Sequence, residues 1–579
     1  MGTARKTVFF VVVCLLLLLL LAGAALAAKP NRVLIVVMDQ MQPGYAEEFK
    51  MTNVLWLQDN GINYDKAYVG DMASETVVSH NVMVSGMFPK HMGWSDEAIR
   101  DVNNVLGFGD IVTTGDLGTV AYEKLIRAAG DYPKLGDYLH AAFPGTIVAN
   151  VGQKGYQVES MAALSSDIYV RMDSARSISL LPTGITVPWT GKFRGPRGAV
   201  AGQPVAPGYT LPDYIKNDSR LYISAGNPVP TTPPTPDGPD VSDTYGTTIT
   251  QPAWIYPEDG RYAPGPYAGH ESGDAWVANA ALDIMANENW SGLWVTFSAI
   301  DKIGHMWGGG AADTMATYNW DPNDFLQYSI HMPWIAKNAD NQLGKLIAEV
   351  KAEDTARGTN TLIVVTADHG STYGKDAGFK GINALNAGNN FNWYAGKWYA
   401  GSTTPSTSDG SPALKPLMDT GNVAFSYQST AIETWLVDQS WGMKLAKADV
   451  MRTLPGVIAT YVRDGDKYVL TSQSATMTSA ERAWWTERGQ ELVDTMAFSG
   501  AADVVGLLAD KTSYGAFGDH GGAQMDVQRI PMAFYAPGIK HLVRGTKFRL
   551  VDIMPTVLRT MGIAPTRPMD GEAYNLNIK

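Results

Sequence analysis

The segment RVLIVVMDQ, residues 32–40, joins an unbroken apolar run to a carboxylate at its end. Continuous apolar runs of this kind are typical of strands that are buried on both faces of a parallel sheet. Asp39 follows the run directly, and Pro43 and Gly44 indicate a turn soon after it. A single aspartate in such a place is more often a turn residue or a helix cap than a functional group.

Three further segments repeat this strand pattern along the chain. They are Leu293–Phe297, Leu362–Thr366 and Pro531–Ala536. Helical periodicity occupies Gly273–Asn287, Ala336–Ala352 and Val551–Met561. The first two of these helices lead back into predicted strands, as βαβ units require. The alternation predicts an α/β fold with a doubly wound, mainly parallel sheet flanked by helices.

Three long stretches do not fit the alternating pattern. Residues about 180–272 are rich in Pro, Gly and Thr, and residues about 379–425 are rich in Gly, Asn, Ser and Thr. We expect both to be insertions above the carboxyl edge of the sheet, where they form a cap and shape a substrate pocket. Residues about 426–515, with helices and a hairpin around Tyr461–Leu470, are a candidate lid subdomain. The alternative is that all three are surface decorations.

The beginning of the chain predicts its compartment. Basic residues precede an apolar run from Val8 to about Ala22, and Ala25-Leu26-Ala27 follows as a small-residue cleavage pattern. This arrangement predicts a secretory signal peptide over residues 1–27 and a secreted or periplasmic catalytic domain over residues 28–579. The alternative is an uncleaved membrane anchor, because the apolar residues continue to Ala28.

The composition restricts the partners of this domain. The chain has a net charge of −12, and no block of lysine and arginine offsets it. This balance argues against a nucleic-acid or anionic-membrane binder, but it allows a small phosphorylated substrate because metal ions can supply local positive charge. The single cysteine, Cys14, lies inside the predicted signal, so we expect no disulfide, no thiol chemistry and no membrane span after cleavage. The oligomeric state stays open.

Aspartates and histidines gather in four short segments: VVMDQ at 36–40, DKIGH at 301–305, TADHG at 366–370 and GDHGG at 518–522. The candidate ligands in them are Asp39, Asp301, His305, Asp368, His369 and His520. Three of the segments begin where an apolar run ends, and the carboxyl edge of such a sheet is where ligands bind. A set of nitrogen and oxygen ligands without sulfur suits zinc.

Thr76, in the segment SETVVSH at 74–80, is the candidate nucleophile. A free hydroxyl is a poor nucleophile at neutral pH, so it needs a base or a metal to become an alkoxide. If Thr76 begins a helix, unpaired backbone amides there favour an anionic phosphoryl group. The alternative for Thr76 alone is an ordinary N-cap. We expect His80, four residues on, to be a packing or supporting residue on the same helix face.

The order and types of these residues resemble the alkaline phosphatase superfamily, particularly its branch of type I phosphodiesterases and nucleotide pyrophosphatases. The resemblance runs from Asp39 to His520 and continues into VDIMPTVLRTMGI at 551–563. The ligand sets that it implies are Asp301, His305 and His520 for one zinc ion, and Asp39, Asp368 and His369 for the other. Thr76 would bridge or adjoin the two metal ions. A divalent ion other than zinc could occupy one of the two positions. The implied reaction is a two-step displacement through a phosphothreonine, with retention at phosphorus.

The choice of ester depends on other positions. Monoesterases of this family commonly use a Lys-x-Arg pair, whereas here Lys154 is followed by Tyr156 in the place of the arginine. Glu97 stands where the family has an asparagine after the nucleophile helix. These departures favour phosphodiesters or pyrophosphates, with a phosphomonoesterase as the alternative.

Two further alternatives stay open. Lys154 is either a substrate contact or a solvated surface lysine. The whole chain could instead be a secreted metal-binding protein without catalysis, although the intact Thr76 and metal-type residues argue against this.

Overall fold

The structure of the chain is a computed structural model that describes most of the residues after Ala28. The described ranges are 29–107, 111–115, 117–172, 273–301, 331–372, 412–514 and 518–578, with Gly304 and short elements within 185–224 and 392–399. The predicted signal peptide, His305 and most of the two expected insertions lie outside the described residues. Among the helices of the described ranges, none combines the length and the apolar character needed to cross a membrane.

Nine strands of the described residues form the central sheet. Five of them are parallel neighbours, in the order Ile168–Met172, Ile147–Gly152, Trp290–Phe297, Arg32–Met38 and Thr361–Thr366. The sheet continues past Thr361–Thr366 with Met532–Tyr535, Ile62–Tyr64 and Leu542–Arg544, and past Ile168–Met172 with Trp189–Phe193. All seven residues of Arg32–Met38 are buried, as expected for a strand covered on both faces. The predicted α/β fold with a mainly parallel sheet is confirmed.

The register of the three middle strands decides where the site lies. Val37 pairs with Thr296 on one side and with Thr366 on the other. The three strands therefore end at nearly the same level, and the residues that follow them meet at one edge of the sheet. Asp39, Asp301 and Asp368 are all placed at this edge.

The helices that flank the sheet agree with the predicted pattern, with differences at their ends. The α-helices of eight or more residues in the described ranges are Thr52–Asn60, Thr76–Ser85, Thr119–Ala128, Leu135–Ala142, Gly155–Ala162, Gly273–Asn287, His331–Arg357, Trp441–Met451, Ser479–Asp494 and Ile553–Met561. The helix predicted at Ala336–Ala352 extends from His331 to Arg357, and Gly358, which is left-handed at φ 66°, ends it. The last predicted helix begins with a 3₁₀ turn at Leu550–Asp552.

Two expectations about the sheet are corrected. Pro531–Ala536, expected to be a parallel strand, contains the strand Met532–Tyr535, which runs antiparallel to Thr361–Thr366. An apolar run indicates that a strand is buried on both faces, but it does not indicate whether the strand is parallel or antiparallel to its neighbour. Trp189–Phe193, inside the range expected to be an insertion, is an antiparallel edge strand of the central sheet.

A second, antiparallel sheet lies in the later part of the chain. Its six strands within the described residues have the order Trp398–Tyr399, Val423–Gln428, Ala431–Leu436, Val504–Leu508, Val457–Asp464 and Lys467–Gln473. The predicted hairpin is confirmed, since Tyr461 pairs with Leu470. Trp435 and Tyr461 belong to a hydrophobic core of this sheet that is separate from the core of the central sheet. Its role as a lid stays a prediction.

Candidate active site

Thr76 is the first residue of the helix Thr76–Ser85, in which all ten residues are buried. The N-cap position belongs to Glu75, so the interpretation of Thr76 as an ordinary N-cap is wrong. Its hydroxyl is instead directed at a predicted metal ligand, because Thr76 Oγ1 lies 3.2 Å from His369 Nε2. Gly86 ends the helix in the left-handed conformation at φ 64°.

Asp39, Asp368 and His369 form one cluster of potential metal ligands, with ligand atoms all within 4.8 Å of one another. His369 Nε2 lies 3.5 Å from Asp39 Oδ1 and 3.5 Å from Asp368 Oδ2. The other ring nitrogen, Nδ1, lies 3.0 Å from the carbonyl oxygen of Gly370. A carbonyl can only accept, so Nδ1 carries the proton and Nε2 presents its lone pair to the carboxylates.

Asp301, His369 and His520 form a second cluster of the same kind. His520 Nε2 lies 3.5 Å from Asp301 Oδ1, and the rings of His369 and His520 stack with their centroids 3.7 Å apart. His369 therefore belongs to both clusters, whereas the resemblance implies that it binds one zinc ion only. His305, the third ligand predicted beside Asp301 and His520, lies outside the described residues.

These clusters fit a divalent cation. Burial, together with repulsion from Asp301 and Asp368, raises the pKa of Asp39 to about 8. Asp39 Oδ1 and Asp368 Oδ2 accept no hydrogen bond from any described residue, and each of these carboxylate oxygens lies 3.5 Å from His369 Nε2. Burial also lowers the pKa of His369 well below its usual value, which keeps the imidazole neutral. Unpaired carboxylate oxygens facing a nitrogen lone pair are stabilised by a bound metal ion.

Lys154 lies within this site, so the interpretation as a solvated surface lysine is wrong. Its side chain is 1% exposed, and Nζ lies 2.7 Å from Asp39 Oδ2. Nζ also donates to Asp301 Oδ2, so the ammonium group links the two clusters. Lys154 immediately precedes the helix Gly155–Ala162, which places it beside the carboxyl edge of the sheet. The ring centroid of Tyr156 is 5.8 Å from Nζ.

His80 takes the supporting position expected for it. Its Nδ1 donates to the carbonyl oxygen of Thr76 at 2.8 Å, and its Nε2 accepts from the hydroxyl of Thr296 at 2.9 Å. Burial lowers the pKa of His80 to about 4, so the ring is neutral. Both ring nitrogens are thus engaged with protein groups, and the ring holds the first turn of the helix against the sheet.

Two glutamines, neither of them expected from the sequence, bind the site carboxylates. The backbone N–H of Gln40 donates to Asp368 Oδ1 at 3.1 Å, and its Nε2 donates to Asp301 Oδ1 at 3.2 Å. Gln40 has a φ of 68°, which is uncommon for a residue other than glycine and typical of functional sites. Gln157 donates from Nε2 to Asp39 Oδ2. The only signal in the sequence was the position of Gln40 directly after Asp39.

Glu75 and Glu97 bring further carboxylates near the site. Glu75 Oε2 lies 2.9 Å from His520 Nδ1. Tyr427 of the second sheet places its hydroxyl oxygen 3.0 Å from Glu97 Oε2 and 3.4 Å from Glu75 Oε1. Glu97 is therefore connected to the residue that precedes Thr76, and the second sheet reaches the site through Tyr427.

The chain resembles known proteins in sequence and in fold. A family model described as type I phosphodiesterase / nucleotide pyrophosphatase matches residues 33–399. No curated protein matches the chain significantly. Wild-type alkaline phosphatase PafA is 13% identical with a TM-score of 0.57, and a PafA mutant with four substitutions is 12% identical with a TM-score of 0.61. Murine ectonucleotide pyrophosphatase / phosphodiesterase 5 is 10% identical with a TM-score of 0.50. Each comparison covers 93% of this chain and 97% of the other.

The structural likenesses confirm the alkaline phosphatase-like fold. The matched range of the family model covers more than half of the chain. It includes Asp39, Thr76, Asp301 and the pair Asp368 and His369, whereas His520 lies beyond it. The chain is a phosphoric ester hydrolase, and it belongs to the type I phosphodiesterase/nucleotide pyrophosphatase family.

Proposed function

We propose that this protein hydrolyses phosphodiester or nucleotide pyrophosphate bonds at a two-zinc site, with Thr76 as the nucleophile. The observation that carries the proposal is the 3.2 Å distance between Thr76 Oγ1 and His369 Nε2. His369 borders both ligand clusters, so the Thr76 hydroxyl adjoins the place where both metals would be held. Thr76 thus supplies a hydroxyl oxygen at this position.

The residues that would hold the metals combine the two clusters with the resemblance. Asp39, Asp368 and His369 would hold one ion, and Asp301 and His520 the other. The resemblance adds His305, which lies outside the described residues, to the second ion. When bound, two zinc ions supply Lewis acidity that favours the ionised form of a hydroxyl and stabilises a departing oxygen. Zinc suits this set of carboxylate and imidazole ligands.

The chain's own groups define the rest of the reaction. Thr76 Oγ1 gives up its proton and forms a bond to phosphorus while the bond between phosphorus and the ester oxygen breaks; the ester oxygen takes up a proton and leaves as a free alcohol or nucleotide, and a phosphothreonine remains. Water then attacks phosphorus as the bond between Oγ1 and phosphorus breaks. One proton of the water goes to Thr76 Oγ1, and phosphate or its monoester is released. The N-terminus of Thr76–Ser85 favours the negative phosphoryl group. Two inversions give retention overall.

The balance of charge supports a diester or a pyrophosphate as substrate. Tyr156 stands where a second cation would be expected, and Glu97 adds a carboxylate where the family has a neutral amide. A phosphate diester has one negative charge fewer than a monoester dianion, so it needs less neutralisation. The AMP bound to an inactive mutant of murine ectonucleotide pyrophosphatase / phosphodiesterase 5 belongs to the class of small phosphorylated ligands that we propose here.

A phosphomonoesterase is the second candidate, and Lys154 is the observation that favours it. Its buried ammonium group contacts carboxylates of both clusters, so it brings positive charge to the place where a dianion would bind. Lys154 would then be a direct substrate contact.

We further propose that the reaction takes place outside the cytoplasm, because residues 1–27 have the pattern of a secretory signal peptide. N-terminal sequencing of the mature protein tests this. A first residue of Ala28 supports cleavage, whereas an intact Met1 supports the alternative of a membrane anchor.

The experiment that tests the function compares bis-p-nitrophenyl phosphate with p-nitrophenyl phosphate on zinc-loaded protein. Thr76→Ala should lose hydrolysis and keep two zinc ions per chain. Ser79→Ala is the matched control, because Ser79 lies in the same buried helix and its Oγ makes no hydrogen bond with any described residue. An active Thr76→Ala protein would exclude the proposed nucleophile, and a strong preference for the monoester would exclude the proposed substrate class.

A further inference from the structure

Glu75 lies immediately before the proposed nucleophile and contacts a residue that is distant in the sequence. We propose that Glu75 is a positioning residue that orients His520 for metal binding and thereby couples the GDHGG loop, residues 518–522, to the helix of Thr76. The inference rests on the proposed two-metal function and adds a residue that acts through His520 without touching substrate.

The contact geometry separates the two ring nitrogens of His520. Nδ1 lies 2.9 Å from Glu75 Oε2, whereas Nε2 lies 3.5 Å from Asp301 Oδ1. A carboxylate beside Nδ1 keeps the proton on that nitrogen, so Nε2 is the atom left for a metal. Glu75 is 1% exposed and His520 is 7% exposed, so water competes little for this contact.

The GDHGG loop is shaped around the Glu75 side chain. A methyl group on Gly521 would lie 2.1 Å from Glu75 Oε1, and the φ of Gly521 is +78°. The positive φ favours glycine at this position, and any larger residue would also displace the Glu75 carboxylate. The carbonyl oxygen of Gly521 accepts from Ser429 Oγ at 3.0 Å, and the N–H of Gly522 donates to Ser74 Oγ at 2.9 Å. The loop is therefore held on both sides while it packs directly against the carboxylate.

The backbone of Glu75 is held as firmly as its side chain. Glu75 is the N-cap of Thr76–Ser85, and its carbonyl oxygen accepts hydrogen bonds from Val78 and Ser79 at 3.1 and 2.9 Å. The same residue thus anchors the first turn of the helix and reaches His520 with its side chain. Glu75 therefore connects the first turn of this helix to the imidazole of His520.

The neighbouring carboxylate Glu97 does not share this role. Its Oε2 contacts the Tyr427 hydroxyl at 3.0 Å, and that hydroxyl is 3.4 Å from the other oxygen of Glu75. Among the described residues, Glu75 and Glu97 take part in no cluster of three potential metal ligands. Glu97 therefore serves as a matched control that has the same side chain and the same contact with the Tyr427 hydroxyl but lacks the contact with His520.

The test measures zinc affinity of the full chain by competition with a chromogenic chelator. In Glu75→Ala, one of the two zinc sites should weaken by roughly 10- to 100-fold while the other stays unchanged, because the metal ligand has lost its orienting partner. Glu75→Gln keeps a side-chain oxygen that can lie beside Nδ1, so its affinity should lie much closer to that of the wild type. Glu97→Gln should bind zinc like the wild type. Replacing zinc by cobalt adds a visible spectrum, which should change for one ion only in Glu75→Ala.

Two results would overturn the inference while leaving the proposed function intact. One is an unchanged zinc affinity in Glu75→Ala. The other is an equal loss in Glu75→Ala and Glu97→Gln, which would trace the effect to local charge rather than to the orientation of His520. Wild-type protein that binds no zinc would instead remove the proposed function, so the two failures are distinguishable. If Glu75→Ala does not fold, a Glu75→Gln protein as weak as a ligand deletion in His520→Ala would also contradict the inference.

Discussion

Gln40 offers a quantitative test of how the site is held together before metal binds. Its Nε2 donates to Asp301 Oδ1 at 3.2 Å and to the carbonyl oxygen of Gly518 at 2.7 Å, and the residue is fully buried. Gln40→Ala removes both hydrogen bonds, so Asp301 Oδ1 and the carbonyl oxygen of Gly518 each lose a buried hydrogen-bond donor. About 1 kcal/mol for the bond to the carbonyl and about 2 kcal/mol for the bond to the carboxylate give an expected loss of about 3 kcal/mol in unfolding free energy.

The backbone of residue 40 should contribute equally to the unfolding free energies of the wild type and of Gln40→Ala. Alanine at φ 68° is strained as glutamine is, and the bond from the backbone N–H of Gln40 to Asp368 is kept. Gln42→Ala is the control, because Gln42 Nε2 donates only to the carbonyl oxygen of Ser371, at 2.8 Å, among the bonds found in the described residues. Its expected loss is about 1 kcal/mol.

Urea denaturation of metal-free protein measures both variants, through the midpoint and slope of each transition. The midpoint of Gln40→Ala should fall well below that of Gln42→Ala at an unchanged slope. Equal midpoints for the two variants would refute the assigned role of the Gln40 side chain.

Three further predictions concern metal, charge and pH. Removing metal with a chelator should abolish hydrolysis and added zinc should restore it, whereas full activity of metal-free protein would contradict the two-metal site. Lys154→Ala should reduce turnover of a monoester more than that of a diester in steady-state assays, because its ammonium group lies at the carboxylates of both clusters; equal losses would argue against a charge effect on substrate. Burial raises the pKa of Asp71 from 3.8 to about 6, so its protonated form is favoured in the folded state. The contribution of Asp71 to the unfolding free energy is therefore greatest below about pH 4. It falls by about 3 kcal/mol in total as the pH rises through 6. Asp71→Asn should remove that loss when unfolding free energies are compared at pH 4 and pH 8, and an unchanged pH dependence would contradict the shift.

The strand ends could be predicted because their signals are local. The apolar run at Arg32–Met38 and the carboxylate after it lie next to each other in the sequence, and the same is true of Thr361–Thr366 with Asp368 and His369. Parallel strands with matched ends then bring these residues to one edge without further information. The helix that begins at Thr76 has its N-terminus at the same edge of the sheet, where the Thr76 hydroxyl contacts His369.

Other features depend on contacts between distant parts of the chain. The antiparallel direction of Met532–Tyr535 leaves no mark in an apolar run. Glu75 is separated from His520 by more than 400 residues, and the sequence around each residue does not predict their contact. Gln40 and Gln157 donate to carboxylates through side-chain amides whose direction is fixed only by the folded backbone. Lys154 looked equally suited to the surface, because its burial results from two carboxylates far from it in the sequence.

A covalent phosphoryl group on Thr76 is the most direct consequence of the proposed reaction. Zinc-loaded protein mixed with bis-p-nitrophenyl phosphate, quenched rapidly in acid and digested, can be examined by mass spectrometry for a modified peptide that contains Thr76. We predict a phosphorylated or nitrophenyl-phosphorylated Thr76 that appears during turnover, disappears when substrate is exhausted, and is absent in Thr76→Ala. Steady turnover with an unmodified Thr76 at every quench time, or a phosphoryl group on another residue, would contradict the central claim.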